Sequence, residues 1–171
     1  MYLKSAYNSP LGEMILLSHD DFLVGAWFSG QAHFGAGYDM DSIESGVNSP
    51  IRLASDWLDD YFSGNQPAIF SVPLKPEVTS FRGLVLEVLT SIPYGKTITY
   101  KEISDRIGEM RGGQKSAARA VGGAVGHNPI SIIIPCHRVV GADGSLTGYA
   151  GGIDRKIALL DLEGAKHGNA I

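Results

Sequence analysis

A single cysteine, Cys136, among 171 residues excludes an internal disulfide and a cysteine-rich zinc site. No apolar run approaches the roughly 18 residues that cross a bilayer. The stretch from Met1 to Tyr7 also lacks a signal peptide's apolar core, so a cytoplasmic protein with no membrane partner is expected. Positive charge is in short supply as well, with 14 Lys and Arg against 18 Asp and Glu, a net charge of −4. That deficit is unevenly spread. Between Tyr94 and Arg138 seven basic residues meet three acids, whereas the rest of the chain holds seven against fifteen. A basic segment on an acidic body suits docking of a phosphate backbone through one face, and it equally suits a solvated helix surface.

What is present is the composition of a globular protein long enough for one ordinary domain or two small ones. Met14 to Phe28 reads as a hairpin turning at Asp20-Asp21, and residues 29–48, rich in Gly, Asp and Ser, read as a loop. Ser49 as an N-cap followed by Pro50 in the first turn predicts a helix start, with Leu53, Trp57 and Tyr61 as its apolar stripe. The extended stretch Phe70 to Pro76 marks a boundary, giving an N-terminal α/β domain over 1–78 and a mostly α C-terminal domain over 79–171.

In the second half Thr79 or Ser80 caps an amphipathic helix that Pro93 stops. Thr99-Tyr100-Lys101-Glu102 has the form of a capping box and predicts a short helix bearing Ile103 and Ile107. A second short helix, Ser116 to Val125, consists almost wholly of Ala, Gly and Val, with Arg119 as its one long side chain. Two short helices in succession suggest a helix-turn-helix. The second helix then either admits a partner close to its backbone or packs against a neighbouring helix. Asp154 is expected to cap a last helix that turns Ile157, Leu160 and Leu162 inward. Glu163 near its end is a carboxylate where the helix dipole disfavours one, which points to a specific partner.

The chemistry centres on Ile132 to Val140, an apolar, β-branched run carrying Cys136 with His137 and Arg138 directly behind it. A thiol attacks as its thiolate, and a nearby imidazole or cation promotes ionisation. The alternative is an inert cysteine packed as a small hydrophobe. Adjacent side chains diverge on a strand or a helix, so a link from Cys136 to His137 would run through a bridging water.

With these pieces placed, the chain resembles the O6-alkylguanine-DNA alkyltransferase family. The resemblance is carried by Ser9-Pro10-Leu11-Gly12, Phe70 to Leu74, Ile92-Pro93-Tyr94-Gly95, Arg119-Ala120-Val121-Gly122, Asn128-Pro129, Pro135-Cys136-His137-Arg138-Val139, Gly148 to Gly152, and Lys156 to Leu160 with Glu163. It implies a ribonuclease H-like α/β domain followed by a helix-turn-helix domain of winged-helix type. It also implies a single-turnover reaction in which the alkyl group of O6-alkylguanine, or of O4-alkylthymine, in duplex DNA passes to Cys136. His137 would act as base through a water, Glu163 would hold the imidazole, and Asn128 would brace the turn before the cysteine. Tyr100 would donate a proton to the leaving base. Arg119 would fill the gap in the base stack from the minor groove, with Ser116, Ala120, Gly122 and Gly123 also meeting DNA. Tyr149, Ala150, Val139, Val125 and Pro135 would form the pocket for the flipped base. No metal or other cofactor and a monomeric chain are expected. Departures are a longer segment from Glu109 to Lys115 that lacks the family's proline, and Arg82, Leu86 and Val78 at positions where the family commonly has other residues. The competing expectation is the alkyltransferase-like class, which binds alkylated bases without transfer and lacks the reactive cysteine.

Overall fold

The computed structural model describes residues 1–113 and 118–170, which divide into two compact units, 1–77 with 129–133 and 78–128 with 134–170. The first is built on a sheet ordered β3-β2-β1-β4, formed by β1 (Tyr2–Ser9), β2 (Gly12–His19), β3 (Phe22–Phe28) and the two-residue β4 (Glu44–Ser45). Two-residue loops join the first three strands, pairing Ser9 with Gly12 and His19 with Phe22. The second loop places Asp20 at φ 52°, the left-handed conformation that aspartate tolerates in such turns. β1 was not foreseen, because Tyr2 to Ser9 has no clean apolar alternation and none of its side chains is fully buried.

β3 is buried from Leu23 to Phe28, so it has no solvent face. Leu17, Val24 and Trp27 pack under Tyr2, Tyr38, Met40 and Ile43, which makes the 29–48 segment a cover for the sheet rather than a plain loop. The helix α1 (Ser49–Phe62) also packs on β1, β2 and β3. The outer edge of β3 is closed by two short lengths of chain. Leu23 donates its N–H to Pro73 O at 2.8 Å and its carbonyl accepts from Lys75 N–H at 3.0 Å, while Ala26 donates its N–H to Pro129 O at 2.8 Å and its carbonyl accepts from Ser131 N–H at 2.8 Å. An edge strand left open would be a template for aggregation. Closing it is the reason residues 129–133 belong to the first unit.

Two details of α1 differ from the sequence expectation. Asn48, not Ser49, is the N-cap: its side chain accepts from Ile51 N–H and its amide donates to Ser18 Oγ at 2.8 Å. Leu53 is exposed, and the buried face is Ile51, Ala54, Trp57, Leu58 and Tyr61, which follows the helical period more closely than a strict spacing of four.

The second unit contains α2 (Ser80–Thr90), β5 (Ile98–Thr99), α3 (Tyr100–Met110), α4 (Ala118–Gly126), β6 (Val139–Val140) and α5 (Ile153–Leu162). α2, α3 and α4 pack against one another, and β5 and β6 pair in parallel. Thr99 and Glu102 form the expected capping box, and Thr79 caps α2. At α5 the N-cap is Gly152 at φ 95° with no side-chain cap, so Asp154 lies inside the first turn, and Leu162 is exposed while Leu159 and Leu160 are buried. None of the helices among the described residues is long and apolar enough to cross a membrane.

Which residue caps α1 is open to direct test. Asn48→Ala is expected to lower stability by about 1–2 kcal/mol in urea denaturation, whereas Ser49→Ala should stay within about 0.5 kcal/mol.

Candidate active site

The run around the cysteine is no strand. Ile133 N–H donates to Ser131 O at 2.8 Å across Ile132, which sits at φ 70°, a conformation rare for a β-branched residue. Cys136 N–H donates to Ile134 O at 2.9 Å across Pro135 at φ −83° and ψ 66°, an inverse γ-turn suited to proline's fixed φ. Cys136–Arg138 then forms one turn of 3₁₀ helix before β6 begins. Asn128 braces this path by donating from Nδ2 to Ile134 O at 2.8 Å. With three residues per turn, three successive side chains leave in three directions. Cys136 faces a cavity, while His137 and Arg138 point to Glu163.

Glu163 ends α5 at its C-cap, where the helix dipole offers it nothing, and its carboxylate is held by donors from elsewhere. Oε2 accepts from His137 Nε2 at 2.6 Å and from Arg138 Nη2 at 3.1 Å. Oε1 accepts from Arg138 Nε at 2.8 Å and from Gly95 N–H at 3.1 Å. Arg138 also donates from Nη1 to Ile92 O at 2.7 Å and lies over the Tyr94 ring. Burial alone would push the Glu163 carboxyl up, but the bonds from His137 and Arg138 outweigh it and bring it down to about 2. Gly95 comes this close at φ 76°, and a β-carbon there would stand 3.1 Å from Glu163 O.

Burial pushes the Cys136 thiol up, while a hydrogen bond from the Asn128 side chain and the charge of Lys156 pull it down. Burial also pushes His137 down, against the bond to Glu163. The resting site therefore pairs a neutral thiol with a neutral imidazole and an ionised carboxylate. Because Nε2 of a neutral His137 donates to Glu163, Nδ1 is its basic nitrogen.

Cys136 opens on a cavity of about 170 Å³ lined by Tyr100, Gly122, Val125, Gly126, Cys136, Gly148, Tyr149 and Ala150. Tyr100 opens α3, Gly122, Val125 and Gly126 are on the cavity side of α4, and 148–150 is the glycine-rich loop. The structure thus brings together Cys136, Tyr100, Val125, Tyr149 and Ala150, and sets Gly122, expected at DNA, in the cavity wall. Val139 and Pro135 are not among the lining residues: Val139 lies in β6 with its carbonyl accepting from Lys156, and Pro135 is buried in its turn. Arg119, Ala120 and Gly123 are exposed on α4. Ser116 lies outside the described residues.

Two buried cations were not singled out as site residues. Arg138 is 5% exposed and Lys156 is 1% exposed. A lysine in the first turns of a helix, the positive end of the dipole, was the available signal for Lys156. Arg138 gave none beyond its place beside the histidine.

Residues 80–165 match the family model of the 6-O-methylguanine DNA methyltransferase DNA-binding domain, and residues 2–76 match that of the same family's ribonuclease-like domain. The chain belongs to the 6-O-methylguanine DNA methyltransferase family. Among its relatives in this family, the methylated-DNA–protein-cysteine methyltransferase of Methanosarcina acetivorans is 52% identical over 93% of this chain and 96% of that one. The Haemophilus influenzae protein of the same name is 40% identical over 92% and 83%. The crystal structure of a Mycobacterium tuberculosis member in complex with DNA superimposes with a TM-score of 0.82 at 42% identity, covering 94% of this chain and 92% of that one. The two-domain architecture of the family, a sheet domain followed by a helical domain, is therefore this chain's own.

The Glu163 network predicts an acid limit to stability. A carboxyl held at about 2, against 4.5 for an unperturbed one, contributes stability that is complete above about pH 5 and is lost as pH falls towards 2. Glu163→Gln leaves Arg138 buried without its counter-charge and is expected to cost about 3–5 kcal/mol at neutral pH. Urea denaturation should show this deficit narrowing between about pH 5 and pH 2.

Proposed function

We propose that this chain reverses alkylation damage in DNA by moving the alkyl group from O6 of guanine to Sγ of Cys136, once per molecule. The observation that carries this is the placement of the only thiol in the wall of a cavity that also presents two phenols, with a buried imidazole-carboxylate pair behind it. Both the relatives' name and the DNA complex of a neighbour support it. The first unit is read as ribonuclease H-like and the second as winged-helix-like, with α3 and α4 as its helix-turn-helix.

DNA would meet the outer side of α4 through the minor groove, where Arg119 extends from a surface of Ala118, Ala120 and Gly123. A target base inside a duplex must leave the stack at a cost of a few kcal/mol, and Arg119 offsets part of that by occupying the gap. The extruded base enters between Tyr100, Tyr149 and Ala150. His137 Nδ1 takes the thiol proton through a bridging water, and Glu163 stabilises the imidazolium that forms. Sγ attacks the alkyl carbon, the bond from that carbon to O6 breaks, and the departing guanine accepts a proton from the Tyr100 phenol. The Tyr100 phenolate regains its proton, and the His137 imidazolium gives up the one it took, through solvent, so that in sum the thiol proton passes to guanine and the alkyl group to sulfur. A thioether has no route back to a thiol, so each chain acts once. The chain is read as acting as a monomer.

Incubation with duplex DNA carrying O6-methylguanine should add one methyl per chain, on the peptide containing Cys136, by intact-mass and peptide analysis. Binding with an unmodified Cys136 would instead place the chain with damage-binding proteins. Arg119→Ala should slow repair of duplex about tenfold while leaving reaction with the free O6-alkylguanine base near wild type, a difference of about 1.4 kcal/mol in the duplex arm alone.

A further inference from the structure

Two charges of α5 stand the wrong way round for its dipole. Lys156 stands near the positive end of the helix dipole and Glu163 at the negative end, so each is disfavoured by the helix that bears it. Both are nevertheless buried, and both serve the surroundings of the cysteine turn. Glu163 holds His137 and Arg138. The Lys156 ammonium donates to Val139 O at 2.5 Å and to Gly148 O at 2.9 Å. Gly148 lines the cavity, and Val139 is the first residue after the turn that presents the thiol.

We propose that Lys156 is a positioning residue for alkyl transfer: its ammonium ties the cavity loop to the strand leaving the cysteine turn and sets a buried positive charge beside the thiol. The assignment rests on the transfer reaction proposed above for its purpose, though not for its electrostatics. A charge at this point favours the thiolate and disfavours the imidazolium of His137, and interactions of Lys156 with both groups are present. Lys156 is itself brought down to about 8 by burial, against the pull of Cys136. The other ionisable groups around the thiol are Tyr100 at the start of α3, Tyr149 in the loop, and His137 and Arg138 with Glu163. α4 presents only Gly122, Val125 and Gly126 to the cavity. Among the described residues, Lys156 is thus the one cation directed at this side of the turn that is not already committed to Glu163. A lysine needed only for the fold would be replaceable by an apolar isostere, since buried charges are commonly exchanged for packed hydrophobes without loss.

Reaction of Cys136 with iodoacetamide, followed against pH together with ultraviolet thiolate absorbance, tests this without DNA. Lys156→Met and Lys156→Gln, the second keeping a hydrogen-bond donor without the charge, should both move the thiolate titration up by about one unit, making labelling at neutral pH about tenfold slower. A wild-type profile in either folded variant overturns the proposal. A second measurement needs no substitution. Labelling the wild-type cysteine with iodoacetate leaves a fixed negative charge in the cavity, and iodoacetamide leaves its neutral counterpart. The ¹⁵N titration of Lys156 Nζ should lie about one unit higher in the first, and coincident titrations overturn the proposal. Should wild-type chain behave as expected here but accept no methyl from O6-methylguanine DNA, the repair reading fails and the electrostatic assignment stands. Should transfer proceed with Lys156→Met keeping the wild-type profile, only the Lys156 assignment fails.

Discussion

The carboxylate of Glu163 is the point on which the second unit's chemistry depends. It gathers hydrogen bonds from a backbone amide, an imidazole and the Nε–Nη2 edge of a guanidinium, and so fastens the end of α5 to the turn at 93–95 and to the cysteine turn. An ion pair taken out of water repays its desolvation only when the remaining lone pairs and protons are also satisfied. Here they are, since Arg138 spends its third nitrogen on Ile92 O and its face on Tyr94. The consequence for His137 is a fixed tautomer as well as a fixed ring, which is what a base needs before it needs the right proton affinity.

The thiol is positioned by backbone rather than by regular structure. Ile132 at φ 70° is a strained position worth about 1–3 kcal/mol, and it persists because its side chain is fully buried and the N–H of its neighbour Ser131 is tied to Ala26 O of β3. After it come an inverse γ-turn and a single 3₁₀ turn, a path that no repeating element could supply. It turns Cys136 towards the cavity and the next two side chains towards Glu163 without a long loop that would have to be ordered at the moment of reaction.

Much of this was legible in the chain itself. The capping box at Thr99, the hairpin turn at Asp20 and the small-residue composition of α4 each have a local cause, and local causes can be read. The motif around Cys136 and the misplaced carboxylate at Glu163 pointed to the site. Other features had no such cause. Asn48 displaced Ser49 as the cap because its amide also reaches Ser18, a contact 30 residues away in sequence. The β-branched run at 132–140 is a strand only at Val139-Val140, and before that its backbone bonds close turns across Ile132 and Pro135. Arg138 and Lys156 were not singled out as site residues, and their burial follows from partners on distant segments. What escaped the sequence was set by tertiary pairing.

The two sides of α4 answer to different demands. Val121, Ala124 and Val125 are buried, whereas a β-carbon built on Gly122, Gly123 or Gly126 would meet nothing within 4 Å. Nothing in the packing keeps these glycines, and each costs a helix roughly 1 kcal/mol relative to alanine. A laboratory selection for thermal robustness alone would therefore drift towards alanine along this helix and register every step as a gain. Bulk would accumulate unseen in the cavity wall at Gly122 and Gly126 and, at Gly123, on the side to which the proposed docking brings DNA, and the most robust descendants would be the ones least able to take up their target.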